Sequence, residues 1–167
     1  LLIARFDFTD LLHAQEASLM SKLKLHPGQW VVVCDGTKAL VLENVGDEMF
    51  PNLKTKEVYQ QEAPLTHEQG TDAPGRSFSS VGEARSAVGQ TDWHAQDERR
   101  FLEKLADRLD VAVRAGEAKS LIIAAPPRAL GTLRQVYSQG LRGALAAEID
   151  KDLVKMPVHE IEKHLAA

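Results

Sequence analysis

The stretch SLIIAAP, residues 120–126, constrains the fold more than any other part of the chain. It is a continuous apolar run of the length of a buried strand, far short of the roughly 18 residues that span a membrane. Helical patterns stand on both sides of it. In DWHAQDERRFLEKLADRLDVAVRAGE (92–117), Phe101, Leu105, Leu109 and Val113 recur every four residues. Leu102 and Ala106 widen that stripe into one face of an amphipathic helix. Asp92 reads as its N-cap, Asp97 and Glu98 suit its positive end, and Gly116 reads as its stop. After the run, PRALGTLRQVYSQG (127–140) opens on proline, a first-turn residue, and puts Leu130, Leu133 and Tyr137 on one face. Helix, buried strand, helix is the pattern of an α/β domain with helices packed on a sheet, and the right-handed rule sets the hand of any parallel crossover.

The first half supplies the rest of the sheet. WVVVCDG (30–36) is an apolar run closed by an Asp-Gly turn signal, and TKALVLENVG (37–46) follows it, so the two predict a β-hairpin. LKTKEVYQQEA (53–63) predicts a third strand at an edge, with a polar outer face. ALAAEIDKDL (144–153) fits either a helical extension or a strand, and PVHEIEKHLAA (157–167) a short terminal helix. The expectation is α/β: a single domain of one mixed β-sheet, about five strands, with helices packed on it. Residues 1–19 look foreign to this pattern and read as an added or upstream extension before Met20; residues 20–167 form the domain.

Residues 64–91 differ in kind. Four glycines, four serines and two prolines interrupt any period, and the only Phe, Tyr or Trp is Phe78. Long loops of this sort are either functional or disordered, and a long flexible loop is expected here. At its end Gly89-Gln90 is either chemistry on a flexible tip or the preface to the helix.

Composition and motifs remove several functions. The net charge of −4 argues against a purely electrostatic nucleic-acid binder but allows a local basic patch. One cysteine, Cys34, allows neither an internal disulfide nor a CxxC pair, and in a strand it reads as a buried structural thiol. Phosphate-loop and G-x-S-x-G signatures are absent from the sequence. His159 and His164 stand five apart, roughly 140° around a helix, and do not share a metal. Asp35 reads as a turn former; a nuclease-like role would require other carboxylates, Asp150 and Asp152 among them, to converge on it. Neither metal nor small-molecule cofactor is expected, no complete catalytic constellation appears, and the lack of an export or membrane-inserting segment points to the cytoplasm. Arg100, Lys104 and Arg108 form a row that could follow phosphates, although Glu103 and Asp107 interleave with it. Arg76 and Arg85 in the loop are less compensated, and His94 stands beside Trp93 in the first helical turn.

In series, WVVVCDG, PGRSFSS, TDWHAQDERRFLEKLADRL, LIIAAPPRALGTLR and EIDKDLVKMPVHEIEKHL resemble the bacterial host-attachment protein family over about residues 24–165. Trp93 stands where that family usually has the proline of Asp-Pro-His. The family is in turn remotely similar to the middle domain of archaeal and eukaryotic peptide release factors and of Pelota. That resemblance implies a ribonuclease H-like arrangement and makes 144–153 a strand. Release factors carry Gly-Gly-Gln before the long helix. Here the triplet is Val88-Gly89-Gln90, and a β-branched residue restricts the freedom that the first glycine would supply. The resemblance therefore implies a non-catalytic contact with ribosome or tRNA through Arg76, Arg85, Gly89, Gln90, His94, Arg100 and Lys104. The family name implies an accessory role in attachment to host cells, and hydrolysis of peptidyl-tRNA or RNA is a third reading.

Overall fold

The computed structural model describes residues 23–61 and 83–166, with side chains in the second stretch from Trp93 onward. Five strands form one sheet: β1 (Trp30–Cys34), β2 (Lys38–Asn44), β3 (Leu53–Gln60), β4 (Leu121–Ala125) and β5 (Leu145–Asp150). Their order is β3-β2-β1-β4-β5. β2 is antiparallel to β1 and to β3, whereas β1–β4 and β4–β5 are parallel. The sheet is thus mixed, and β2 alone runs against the rest. The helices are α1 (Glu83–Arg114), α2 (Pro127–Val136), α3 (Gln139–Ala144) and α4 (Val158–Ala166).

β1 and β4 occupy the centre and are buried along their whole length. That is why both read as continuous apolar runs: each has a core on either side. Trp30, Val32, Cys34, Leu121 and Ile123 face α1, α2 and α3, where Leu102, Leu105, Leu109, Leu130, Leu133 and Leu141 meet them. Val31, Val33, Ile122 and Ala124 face the opposite side, where α4 brings Ile161 and Leu165 and its approach brings Leu153 and Val154. The edge strand β3 is mostly exposed, as its lysines and threonine suggest.

Two helical expectations need correction. α1 starts at Glu83, nine residues before Asp92, so the long loop expected over 64–91 ends earlier and Asp92 lies inside the helix. Residues 83–88, EARSAV, include the strong helix formers Glu, Ala and Arg, and a single interior glycine costs only about 1 kcal/mol against them. The rest of that loop, like residues 1–19, lies outside the described residues. The helix expected over 127–140 breaks at Tyr137, because Ser138 starts a new one by accepting a hydrogen bond from the Leu141 amide. Residues 145–150 are a strand, the outer parallel partner of β4.

The far end of α1 is closed as its sequence suggests. Gly116 has φ 75°. Its amide donates to the Val113 carbonyl, and that of Glu117 donates to Ala112. This paired arrangement satisfies the last carbonyls of a helix through one left-handed residue, which glycine adopts without strain.

Candidate functional site

The carboxyl ends of β1, β4 and β5 lie at one end of the sheet, and α1, packed on one face, reaches the turn after β1 with residues 95–102. β1 leaves the sheet through Asp35-Gly36-Thr37. One oxygen of Asp35 accepts from the Thr37 amide (2.7 Å), the Thr37 hydroxyl (3.0 Å) and the Lys38 amide (2.8 Å), so this carboxylate builds the turn. Gly36 lets the turn meet α1 closely: a Cβ here would lie 2.6 Å from Cγ of Glu98. Burial pushes the Cys34 thiol up to about 12, and Asp35 and Asp152 push it the same way. A thiol held protonated in this manner is packing, not a nucleophile. Among the described residues no three His, Cys, Asp or Glu side chains gather as a metal site.

Clefts lie on both flanks of α1. One, of about 510 Å³, lies between the Asp35–Thr37 turn, α1 and the start of α2. Its arginines are paired with carboxylates, Arg99 with Glu103 at 2.9 Å and Arg128 with Glu98 at 3.5 Å. The other, of about 700 Å³, lies between the end of β3 and α1. Val58, Tyr59, Gln60 and Gln61 form its strand side; Asp97, Arg100, Phe101, Lys104 and Leu105 form its helix side.

This second cleft brings together two of the sequence-predicted residues, Arg100 and Lys104. Arg100 is 67% exposed and its nearest carboxylate, Asp97, stands 3.8 Å away. Lys104 is exposed and makes no ion pair among the described residues. His94 and Trp93 are exposed one to two turns earlier on α1 and line neither cleft. Arg85, Gly89 and Gln90 fall within the backbone span of α1, their side chains outside the described residues; Arg76 lies outside those residues altogether. The cleft also contains Tyr59 and Phe101, which the sequence did not single out. Phe101 belongs to the apolar stripe of α1 and Tyr59 to the alternation of β3, and both are partly buried against the core. Nothing in either pattern distinguishes an aromatic ring at the rim of the core from one inside it.

The third member of the cationic row, half-exposed, is paired with carboxylates. Arg108 donates to Glu57 at 2.6 Å and stands 3.7 Å from Glu117. The Tyr59 hydroxyl donates to the other oxygen of Glu57. Burial raises the Glu57 carboxyl, but the hydrogen bonds from Tyr59 and Arg108 and the charges of Arg108 and Lys56 outweigh it and hold the group below the usual carboxylate range. A carboxyl depressed on folding stabilises the native state above its unfolded pKa, and that contribution disappears as pH falls through the folded value. Wild type is therefore expected to melt above Glu57→Gln at pH 7, with the difference shrinking steadily as the pH is lowered into the acid range. A gap that stays constant across a thermal-melt series would contradict this account.

Among the described residues, no helix is long and apolar enough to cross a membrane. No curated protein gives a significant match to the chain. A family model, described as protein required for attachment to host cells, matches residues 30–165. That span runs from the first residue of β1 to the penultimate residue of α4, taking in every strand of the sheet and the helix between the clefts, and on this evidence the chain belongs to that host-attachment family.

Proposed function

We propose that this protein is a non-catalytic, cytoplasmic binding factor that contacts RNA of the translation apparatus, ribosome or tRNA, through the middle of α1. The observation that carries this reading is the placement of Arg100 and Lys104. They are exposed on a helix of 32 residues, while the neighbouring cations of α1 are held by closer carboxylates. Two sparsely neutralised cations on a rigid helix suit phosphate contacts. The fold is in keeping with it: the order β3-β2-β1-β4-β5 with only β2 reversed suits a ribonuclease H-like arrangement of the kind the release-factor middle-domain resemblance implies. Hydrolysis is less well supported. Gly89 and Gln90 lie within the span of a helix, where backbone groups are engaged along the helix axis and not presented to a substrate.

Ribosome co-sedimentation tests this. The protein is expected in the pellet at low salt and released at high salt, and the double variant Arg100→Glu/Lys104→Glu is expected to remain in the supernatant at both. Absence of wild type from the pellet at every salt, together with no binding to free tRNA, would overturn the reading. The family description favours a second one, an accessory role in attachment. Surface labelling of intact cells separates direct from indirect participation, since a wholly protected protein acts only from inside.

A further inference from the structure

We infer that the cleft between β3 and α1 is a binding groove for single-stranded nucleic acid, with a base lying against Phe101 and Tyr59 and its flanking phosphates on Arg100 and Lys104. This rests on the RNA-contacting reading above and assigns to it a site and a strandedness. Duplex binding requires a longer track of cations than the described residues of α1 offer. The spacing of Arg100, Lys104 and Arg108 suggests such a track, but Arg108 is committed to Glu57 and Glu117. Of that row, among the described residues, two cations remain, too few for the counterion release that drives duplex binding. What accompanies them is aromatic and amide surface. Phe101 and Tyr59 keep part of their rings outside the core, and Gln60 and Gln61 stand on the strand side of the same cleft. Cations for the backbone, rings for stacking and amides for base edges make a single-strand site. At about 700 Å³ the groove is of a size to accept a nucleotide or two.

The Tyr59 hydroxyl is tied to Glu57, and Glu57 is tied to Arg108. The same network that removes Arg108 from the track therefore holds the Tyr59 ring in place. The groove is built before any ligand arrives, so little conformational freedom is lost on binding.

Fluorescence anisotropy with labelled RNA hexamers, a labelled duplex and tRNA tests the inference. The hexamers are expected to bind more tightly than the duplex. The slope of log affinity against log salt is expected near −1.4, from two phosphates at roughly −0.7 each. Phe101→Leu, which keeps an apolar side chain in the core but removes the stacking ring, is expected to weaken hexamer binding about tenfold, in the lower part of the range for loss of one base–aromatic contact. Lys104→Glu is expected to weaken it and flatten the slope. Lys163→Glu, on the exposed side of α4, is expected to change nothing. Thermal melts of each variant separate loss of binding from loss of fold. Binding of tRNA or ribosomes that is weakened by Lys104→Glu but indifferent to Phe101→Leu, or a duplex preferred over the hexamers, would overturn the groove while leaving the broader function intact. No binding of any RNA would overturn both.

Discussion

Asn44→Ala is expected to cost about 3 kcal/mol, the sum of several buried polar groups left without partners. For a domain of this size that corresponds to a fall in Tm of roughly 6–12 °C. Asn44 ends β2 and is fully buried. Its amide nitrogen donates to the carbonyls of Leu25 (3.0 Å) and His26 (3.1 Å). Its amide oxygen accepts from the backbone of Gly46 (3.0 Å) and Asn52 (2.9 Å). One side chain thus ties the segment before β1 to both ends of the β2–β3 turn. Alanine removes it and orphans three backbone groups, while the His26 carbonyl keeps the Gln29 amide as a donor. Asn44→Asp is the sharper test, because it keeps the acceptor and loses the donors while adding a buried charge. It is expected to be at least as damaging as alanine at neutral pH. Chemical denaturation of the three proteins measures both, and an alanine variant within 1 kcal/mol of wild type would show that water replaces the network.

Two glycine-to-alanine substitutions are expected to move stability in opposite directions. At Gly46 an added Cβ would lie 2.2 Å from the carbonyl oxygen of Phe50 and 2.8 Å from the amide nitrogen of Asn52. Both are backbone atoms, so no rotamer change relieves the clash. The turn must open, which loosens the Val45–Asn52 hydrogen bond and the Gly46 bond to Asn44. A loss of about 3 kcal/mol is expected, the upper end of what overpacking usually costs. At Gly131, exposed within α2, an added Cβ meets nothing within 4 Å. Alanine there is expected to raise stability by about 0.5–1 kcal/mol, through helix propensity and a less disordered unfolded chain. Denaturation midpoints of the two variants check the pair; equal shifts of the same sign would refute the geometry at Gly46. Because Gly46 and Asn44 share a hydrogen bond, the Asn44→Ala/Gly46→Ala double variant is expected to lose less than the two single losses combined.

Much of the architecture was legible before any coordinates. The strands at 30–34, 38–44, 53–60 and 121–125 fall within the segments that apolar runs and turn residues mark out, and Gly116 ends α1 where a left-handed residue was expected. These signals are local: strand length, a turn dipeptide and a helix stop depend on a few adjacent residues. The start of α1 was misplaced because Asp92 has the chemistry of a cap whether or not the backbone continues through it, and tertiary context overrides so weak a preference. The site was half legible. Arg100 and Lys104 stood out through their spacing, but so did Arg108, which pairs with Glu57 more than fifty residues earlier in the chain.

Local pattern is therefore sufficient for element type, for the α/β class and for the burial of β1 and β4 on two faces, since each follows from side-chain periodicity and size. Strand order, the reversal of β2 alone and the assembly of Tyr59, Phe101, Arg100 and Lys104 around one cleft follow only from packing. The reason is that a cation's availability depends on which carboxylate the folded chain brings to it. Arg108 and Lys104 lie four residues apart on one helix, yet Glu57 of β3 neutralises the first, and the second stays exposed.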